Sequence, residues 1–432
     1  MQTRANPPRS AHGTLNASQH WLPLATPLIL LACLFVLQGC AGIAAIGLRP
    51  SARQMPLNLK TTIRTLEADH RFCDVPVTTV AARLRARYSG EALNILALSG
   101  GGAAGAFGAG AVAGLTRSGS RPDFAVVTGV SAGALVAPYA FLGSDWDSHL
   151  LDAFSGRTTA NLLQPRGLGA IFGSSFYRGM PLKQLIDSYA TAEMIQAVAR
   201  EENKGRLLLV ATHDVAAGKV VVWDLGAIAS NGGSSAQTLF REVLLASASV
   251  PGIFPPATIH VRNGEASYSE VHADAAAAVP FFVPSVFAQT SPGSADGGPR
   301  TAVYVIIDRP LGETGRSSLT AAPAKGSLTP LAGLNHRLLT TLELTATRTE
   351  LQGATLRYSA ISGKYPHINP LDFHADTMRS LFGYAYDCAQ QGRLWTAFQR
   401  NAENTPTERI MTQMRDVPCP ADDAVIGYVA SR

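Results

Sequence analysis

The chain has 432 residues, 36 of them lysine or arginine and 31 aspartate or glutamate, for a formal charge of +5. With 46% hydrophobic and 16% charged residues it has the makings of a globular, rather apolar protein, which excludes a disordered chain. So small a charge gives no argument for a nucleic-acid partner.

In chain order, Arg4 and Arg9 precede an apolar run from Trp21 to Leu37 that ends at Leu37-Gln38-Gly39-Cys40. Pro23 and Pro27 interrupt the run, and it falls short of the roughly 20 apolar residues a bilayer needs. Residues 1–39 are therefore expected to be an export signal rather than a spanning helix. Leu-x-Gly-Cys resembles the bacterial lipobox, in which the cysteine is acylated and becomes the new amino terminus. Gln38 is a less usual residue there, and an ordinary signal peptide with an incidental Cys40 is the other reading. Two or more acyl chains hold a protein on a membrane where one does so only marginally. Ala41 after the cysteine favours, by resemblance to sorting rules, the outer membrane of a bacterial cell envelope. Removing residues 1–39 deletes two arginines and no acids, so the +5 becomes +3. Cys73, Cys388 and Cys419 would then face an oxidising compartment; Cys388 with Cys419 is the favoured pair, and spacing alone leaves all three pairings open. No metal-ligand spacing such as C-x-x-C or H-E-x-x-H occurs, and no cofactor is implied.

Residues 40–92 read as an anchor linker and a helical entry segment. Asn94 to Leu98 is a short apolar strand running into Ser99-Gly100-Gly101-Gly102, and Ala103 to Leu115 follows as a helix of small apolar residues. The order repeats: Phe124 to Thr128 is a strand, Gly129 to Gly133 a turn, Ala134 to Phe141 the start of a helix despite Pro138. Helix is expected around Leu182 to Glu201, strands at Arg206 to Thr212 and Val220 to Trp223, and helix from Phe240 to Ala248, stopped at Pro251. A β-like stretch runs to Tyr268, loops to 289–300 and 311–330, a strand spans Thr301 to Ile307, and a helix runs from Leu331 to Gln352. Strands alternating with helices predict an α/β fold, a three-layer sandwich around a largely parallel sheet. The catalytic domain is expected at 93–310 and a helical extension packed on it at 311–432.

A serine hydroxyl becomes a useful nucleophile when it is held clear of its neighbours, close to a base and beside donors for the oxyanion. Gly129-Val130-Ser131-Ala132-Gly133 at a strand-to-helix corner supplies the first condition. The flanking glycines permit the tight turn, and the helix directs its positive end at the site. The plainer reading is a helix cap. Gly100-Gly101-Gly102-Ala103-Ala104-Gly105 frees several backbone N–H groups into one concavity, suited to an oxyanion or a phosphate. It also fits the dinucleotide fingerprint, but that reading needs an acid ending the next strand, and that strand ends in Ser131. An oxyanion hole at Gly100 to Gly102, with Gly101 and Gly102 the main donors, is the better assignment.

These two motifs, about thirty residues apart and each at a strand–helix junction, resemble the patatin-like phospholipases, which use a serine–aspartate dyad without histidine. Ala246-Ser247-Ala248-Ser249-Val250-Pro251-Gly252-Ile253-Phe254-Pro255-Pro256, then Tyr268 and Asp274, match that family's order and spacing over roughly residues 93–282. The tail around Met378 to Trp395 more loosely resembles bacterial lipoprotein members. The resemblance implies a patatin-like fold and lipid acyl hydrolysis of the phospholipase A, lysophospholipase or carboxylic ester hydrolase type, with Ser131 as nucleophile, Asp274 as base, a membrane lipid as substrate and no cofactor. The sequence departs from the family at Ala275-Ala276, where glycine and then glycine or alanine are usual, and at Ala104, where a basic residue is common. If the first glycine serves a positive φ, Ala275 brings strain. Asp296-Gly297-Gly298 fits the dyad tripeptide literally but sits in a polar loop. A Ser-Asp-His triad with His336, His367 or His374 is the rival mechanism, and an inactive anchored binding protein the rival from another class. His272, two residues before Asp274, is expected to line the sheet. Trp223, Phe240, Phe254, Phe281 and Phe282 are expected in the core, or in an acyl-chain pocket built from such residues.

Overall fold

Parallel strands covered on both faces read as unbroken apolar runs, and the runs ending at Leu98, Val130 and Ala211 are the centre of the sheet in the computed structural model. The structure describes residues 62–66, 72–88, 92–156, 159, 161–167, 175–263, 266–284, 301–311, 332–363, 365–366 and 368–397. All of these lie in one compact unit, Leu59–Arg432. The export signal, Cys40, Asp296 and Cys419 fall outside the described residues. Among the described residues no helix is long and apolar enough to cross a membrane.

The strands are β1 (Thr62–Leu66), β2 (Phe72–Pro76), β3 (Asn94–Leu98), β4 (Phe124–Val130), β5 (Leu207–Asp214), β6 (Lys219–Asp224), β7 (Ala257–Asn263), β8 (Ala266–Asp274), β9 (Ala302–Pro310), β10 (Thr355–Ile361) and β11 (Thr396–Ala397). The helices are α1 (Val77–Arg87), α2 (Gly105–Arg117), α3 (Ala132–Leu142), α4 (Asp147–Phe154), α5 (Met180–Tyr189), α6 (Ala192–Glu202), α7 (Leu225–Ser230), α8 (Gly233–Ala248), α9 (Ala332–Leu351) and α10 (Ala375–Gln390). The sheet order is β11-β10-β9-β3-β4-β5-β6-β1-β2, and the run from β10 to β5 is parallel. The period of two divides the core into two layers. Leu96, Leu98, Tyr304 and Ile306 join one cluster with α2, α3, α8 and α10. Ile95, Ala97, Val303, Val305 and Ile307 join the other, under α1 and α9. The fold is thus mixed α/β with a mostly parallel central sheet and helices on both faces, as the alternation of elements predicts.

Three local readings change. The entry segment is not only helical, because β1 and β2 precede α1 and extend the sheet beside β6. The helical stretch expected around Leu182 to Glu201 consists of two helices, divided where Thr191 caps α6 by accepting the Met194 N–H at 3.2 Å. The stretch after residue 311 also supplies strands: β10 runs parallel to β9, with Leu356 opposite Val303. Cys388 on α10 is disulfide-bonded.

Helix α10 lies against α2 at backbone distance, and glycine is what allows it. A Cβ on Gly110 would stand 2.1 Å from the Phe382 carbonyl oxygen, and one on Gly114 2.4 Å from that of Tyr386. Both obstacles are backbone, so relief requires moving a helix. Gly110→Val and Gly114→Val are each expected to lower the unfolding free energy by about 1–3 kcal/mol or more, read from urea unfolding midpoints, whereas wild-type midpoints would remove this account of the helix pair.

Candidate active site

Strand β4 becomes helix α3 within one residue. Ser131 has φ 57° and ψ −126°, and it is the only non-glycine residue with positive φ among the described residues. Such a backbone costs of order 1–3 kcal/mol and persists only where its surroundings impose it. A Cβ on Gly129 would lie 2.6 Å from the Gly133 carbonyl oxygen, and one on Gly133 would lie 2.6 Å from the carbonyl oxygens of Leu98 and Ser99. Both glycines are therefore steric requirements of the turn. The Ser131 N–H donates to Ser247 Oγ at 3.0 Å, and Ser247 Oγ–H donates onward to the Ala211 carbonyl at 2.9 Å. The Ser131 side chain makes no capping bond to α3, so the helix-cap reading fails.

The glycine loop stands against this elbow. The Gly100 N–H donates to the Pro280 carbonyl at 3.1 Å, which corrects its expected place among the oxyanion donors. Its requirement is steric, since a Cβ there would lie 2.9 Å from both the Ser131 and Ala276 Cβ atoms. The N–H groups of Gly101, Gly102 and Ala132 have no hydrogen-bond partner among the described residues. Gly102 has φ +61°, a conformation suited to glycine, and a Cβ there would lie 2.3 Å from the Pro370 carbonyl oxygen.

Sheet register brings the aspartate in. Strand β4 pairs with β5 as far as Val130 opposite Ala211. The next β5 residue, Thr212, faces Asp274 of the antiparallel β8. Thus β8 takes the place β4 vacates at the elbow, with Asp274 as its last residue. The Asp274 N–H donates to the Ser249 carbonyl at 2.9 Å, and Asp274 Oδ1 accepts the Ala276 N–H at 2.7 Å. Burial raises its pKa from 3.8 to about 6, while the nearby Ser131 hydroxyl and the Ala276 N–H act in the opposite direction. Oδ2 has no partner of full hydrogen-bond geometry in the resting protein. Ala275 is buried and free of positive φ, so the strain anticipated from replacing glycine is absent.

The candidate histidines are not brought to this site. His336 is exposed on α9, His374 is exposed and pairs with Asp372, and His367 lies outside the described residues. His272 is buried in a network the sequence did not reveal. Trp223 Nε1–H donates to Thr212 Oγ1 at 2.7 Å, Thr212 Oγ1 and His272 Nδ1 share a hydrogen bond of 3.0 Å, and His272 Nε2 and Glu270 Oε2 share one of 2.9 Å. Bonds from His272 and the charge of Arg64 lower the Glu270 pKa. Asp214, Glu270 and His272 are close enough to hold a metal ion, but the Arg64 guanidinium already pairs with Glu270 at 2.5 Å. Two further unassigned groups are Ser247 and Asp308. The latter is buried behind the glycine loop, its N–H donating to Ser99 Oγ at 2.9 Å and its Oδ1 accepting the Gly108 N–H at 2.9 Å. Burial pushes its carboxyl well above the usual range.

Ser131 opens on a cavity with an almost wholly apolar wall that includes Leu135, Phe154, Leu182, Ile186 and Phe254. Of the five aromatics expected in the core or a pocket, all are buried and Phe254 lines this cavity.

Residues 96–298 match the model of the family described as patatin-like phospholipase. Among solved structures, VipD from Legionella pneumophila is similar at 11% identity over 79% of this chain and 71% of its own, with a TM-score of 0.33. No curated protein matches the chain. Taken with the α/β fold, the family match places a patatin-like phospholipase domain over residues 96–298 and supports lipid hydrolase activity in general terms.

An ionised carboxylate at Asp274 is held at a cost. Because the folded pKa is raised, the penalty is absent below the unfolded value of 3.8, grows through about pH 6 and is full above it. It amounts to on the order of 3 kcal/mol. Asp274→Asn is therefore expected to melt higher than wild type at pH 8, with the gain shrinking towards pH 4. Scanning calorimetry at the two pH values checks this, and a pH-independent difference would remove the burial account.

Proposed function

We propose that the protein is a lipid acyl hydrolase that uses Ser131 and Asp274 as a dyad through an acyl-enzyme. The observation that carries this is the strained Ser131 at the mouth of an apolar cavity with a buried Asp274 as the strand neighbour of its elbow. Asp274 Oδ2 accepts the serine proton while Ser131 Oγ attacks the acyl carbonyl carbon. The oxyanion forms within reach of the Gly101, Gly102 and Ala132 amides, whose N–H groups have no partner among the described residues and suit a charge that develops only in the transition state. Collapse expels the alcohol, which takes the proton from Asp274. Water, deprotonated by Asp274, then releases the fatty acid. No cofactor takes part. The apolar wall favours an acyl chain, and no basic residue stands at Ala104 to favour an anionic head group.

A fluorophosphonate probe tests the reading. Wild type is expected to be labelled and Ser131→Ala not, with the labelling rate falling about tenfold per pH unit below about 6, as Asp274 becomes protonated. Absence of labelling in wild type, or equal labelling of the variant, would sink it.

We further propose that Cys40 carries acyl chains and holds the protein on the outer membrane, where anchoring raises the local concentration of lipid substrate. The support is the lipobox-like Leu37-Gln38-Gly39-Cys40. Intact-mass spectra are expected to lose the acyl mass in Cys40→Ser; unchanged mass and membrane partition would refute lipidation.

A further inference from the structure

A two-armed ribbon borders the cavity. The Arg166 N–H donates to the Phe176 carbonyl at 3.0 Å and the Arg178 N–H to the Gln164 carbonyl at 2.9 Å, with Pro165 opposite Tyr177 in antiparallel register. Alternation sends Pro165 and Tyr177 to one face and Gln164, Arg166, Phe176 and Arg178 to the other. Tyr177 packs against the core. The four residues of the other face are exposed, Phe176 by 55%.

The ribbon is joined to the cavity wall on its other side. The N–H groups of Phe176 and Tyr177 donate to the carbonyls of Gly252 and Ile253 at 2.9 and 3.1 Å, between Val250 and Phe254, which line the cavity. It then passes through Gly179 into α5. Met180, first in that helix, is 61% exposed, while Leu182 and Ile186 line the cavity.

An aromatic ring and a thioether thus stand in water beside three exposed cations, Arg166, Arg178 and Lys183. Lys183 shares its charge with Asp187 at 2.6 Å, whereas neither arginine has a carboxylate partner among the described residues. Apolar tips flanked by long basic side chains suit a bilayer surface, where the tips enter the acyl region and the cations stay at the level of anionic phosphates. A protein partner would be matched by carboxylates placed one by one; a bilayer supplies diffuse negative charge over hydrocarbon, which is what this face complements.

We infer that the outer face of residues 164–166 and 176–178, with Met180, is the surface on which the protein docks to an anionic lipid bilayer, bringing the cavity wall to its substrate. This rests on the lipid hydrolase reading. The test is hydrogen exchange by mass spectrometry on the full chain, with vesicles of phosphatidylcholine alone or mixed with phosphatidylglycerol. The anionic vesicles are expected to slow exchange in the ribbon and the first turn of α5, and salt to weaken the effect. Phe176→Ser with Met180→Ser is expected to abolish the slowing and to reduce hydrolysis of vesicle lipid at least about tenfold, with a soluble short-chain ester hydrolysed as by wild type. Ribbon exchange indifferent to anionic vesicles, or vesicle hydrolysis unchanged in the double variant, would overturn the inference. So would ribbon protection that grows with protein concentration without lipid, which marks a second copy as the occupant. Failure of the probe to label Ser131 would remove the hydrolase reading instead, leaving the exchange data to decide docking.

Discussion

The left-handed backbone of Ser131 has to be held by its surroundings, and four separate parts of the chain hold it. The Gly133 N-terminal turn of α3 presses against the end of β3, where a Cβ would meet the carbonyls of Leu98 and Ser99. Ser247 of α8 ties the Ser131 amide to the β5 carbonyl of Ala211. Gly100 leaves room for the Ser131 side chain, and Gly105 leaves room for Ala132, whose Cβ would be 2.7 Å from one added there. The strain is thus distributed over the sheet and the helix layer of α2, α3 and α8, and the serine hydroxyl remains free of capping bonds.

The register of β5 is the second constraint, and it follows from the first. A strand that turns sharply into a helix vacates its neighbour's edge, and the unpaired β5 backbone beyond Ala211 must find another partner. Strand β8 supplies it in antiparallel sense, so that its last residue, Asp274, arrives beside the elbow. The buried chain of Trp223, Thr212, His272, Glu270 and Arg64 fastens the same strands two residues away. Geometry at the site is therefore a consequence of strand pairing, with loops contributing the free amides.

Much of this was legible in the sequence because central parallel strands are apolar throughout and end in glycine-rich turns. Asn94 to Leu98 and Phe124 to Val130 announce themselves, and so does the order of the two motifs that follow them. Outer strands do not. Thr62 to Leu66 and Thr355 to Ile361 carry Arg64 and Arg357 among apolar residues, and their strand character comes from the partners they meet. The state of the Gly100 amide was equally out of reach, since it depends on Pro280 arriving from a distant part of the chain. Ser247 lies in the Ala246 to Pro256 segment, and nothing local to α8 shows that its hydroxyl meets the Ser131 amide. Strain at Ala275 depended on whether the position needs a positive φ, which its sequence cannot show; the φ there is not positive, and the methyl group packs into the core.

Two carboxyls near the site show how burial and donors together set charge. Asp274 and Asp308 are both deeply buried, and burial raises the pKa of each. Asp274 has the Ala276 N–H and the Ser131 hydroxyl nearby, which limits the rise to about 6 and leaves it ionised at neutral pH. Asp308 has only the Gly108 N–H to oppose burial, and its pKa stands well above the usual range. A protonated Asp308 leaves the space behind Gly101 uncharged; an ionised one there would oppose any negative charge received by the Gly101 and Gly102 amides. Burial thus favours the uncharged form at Asp308, on the side facing the glycine loop, while Asp274, with two groups opposing burial, keeps its charge more readily on the side of the serine where a base is wanted.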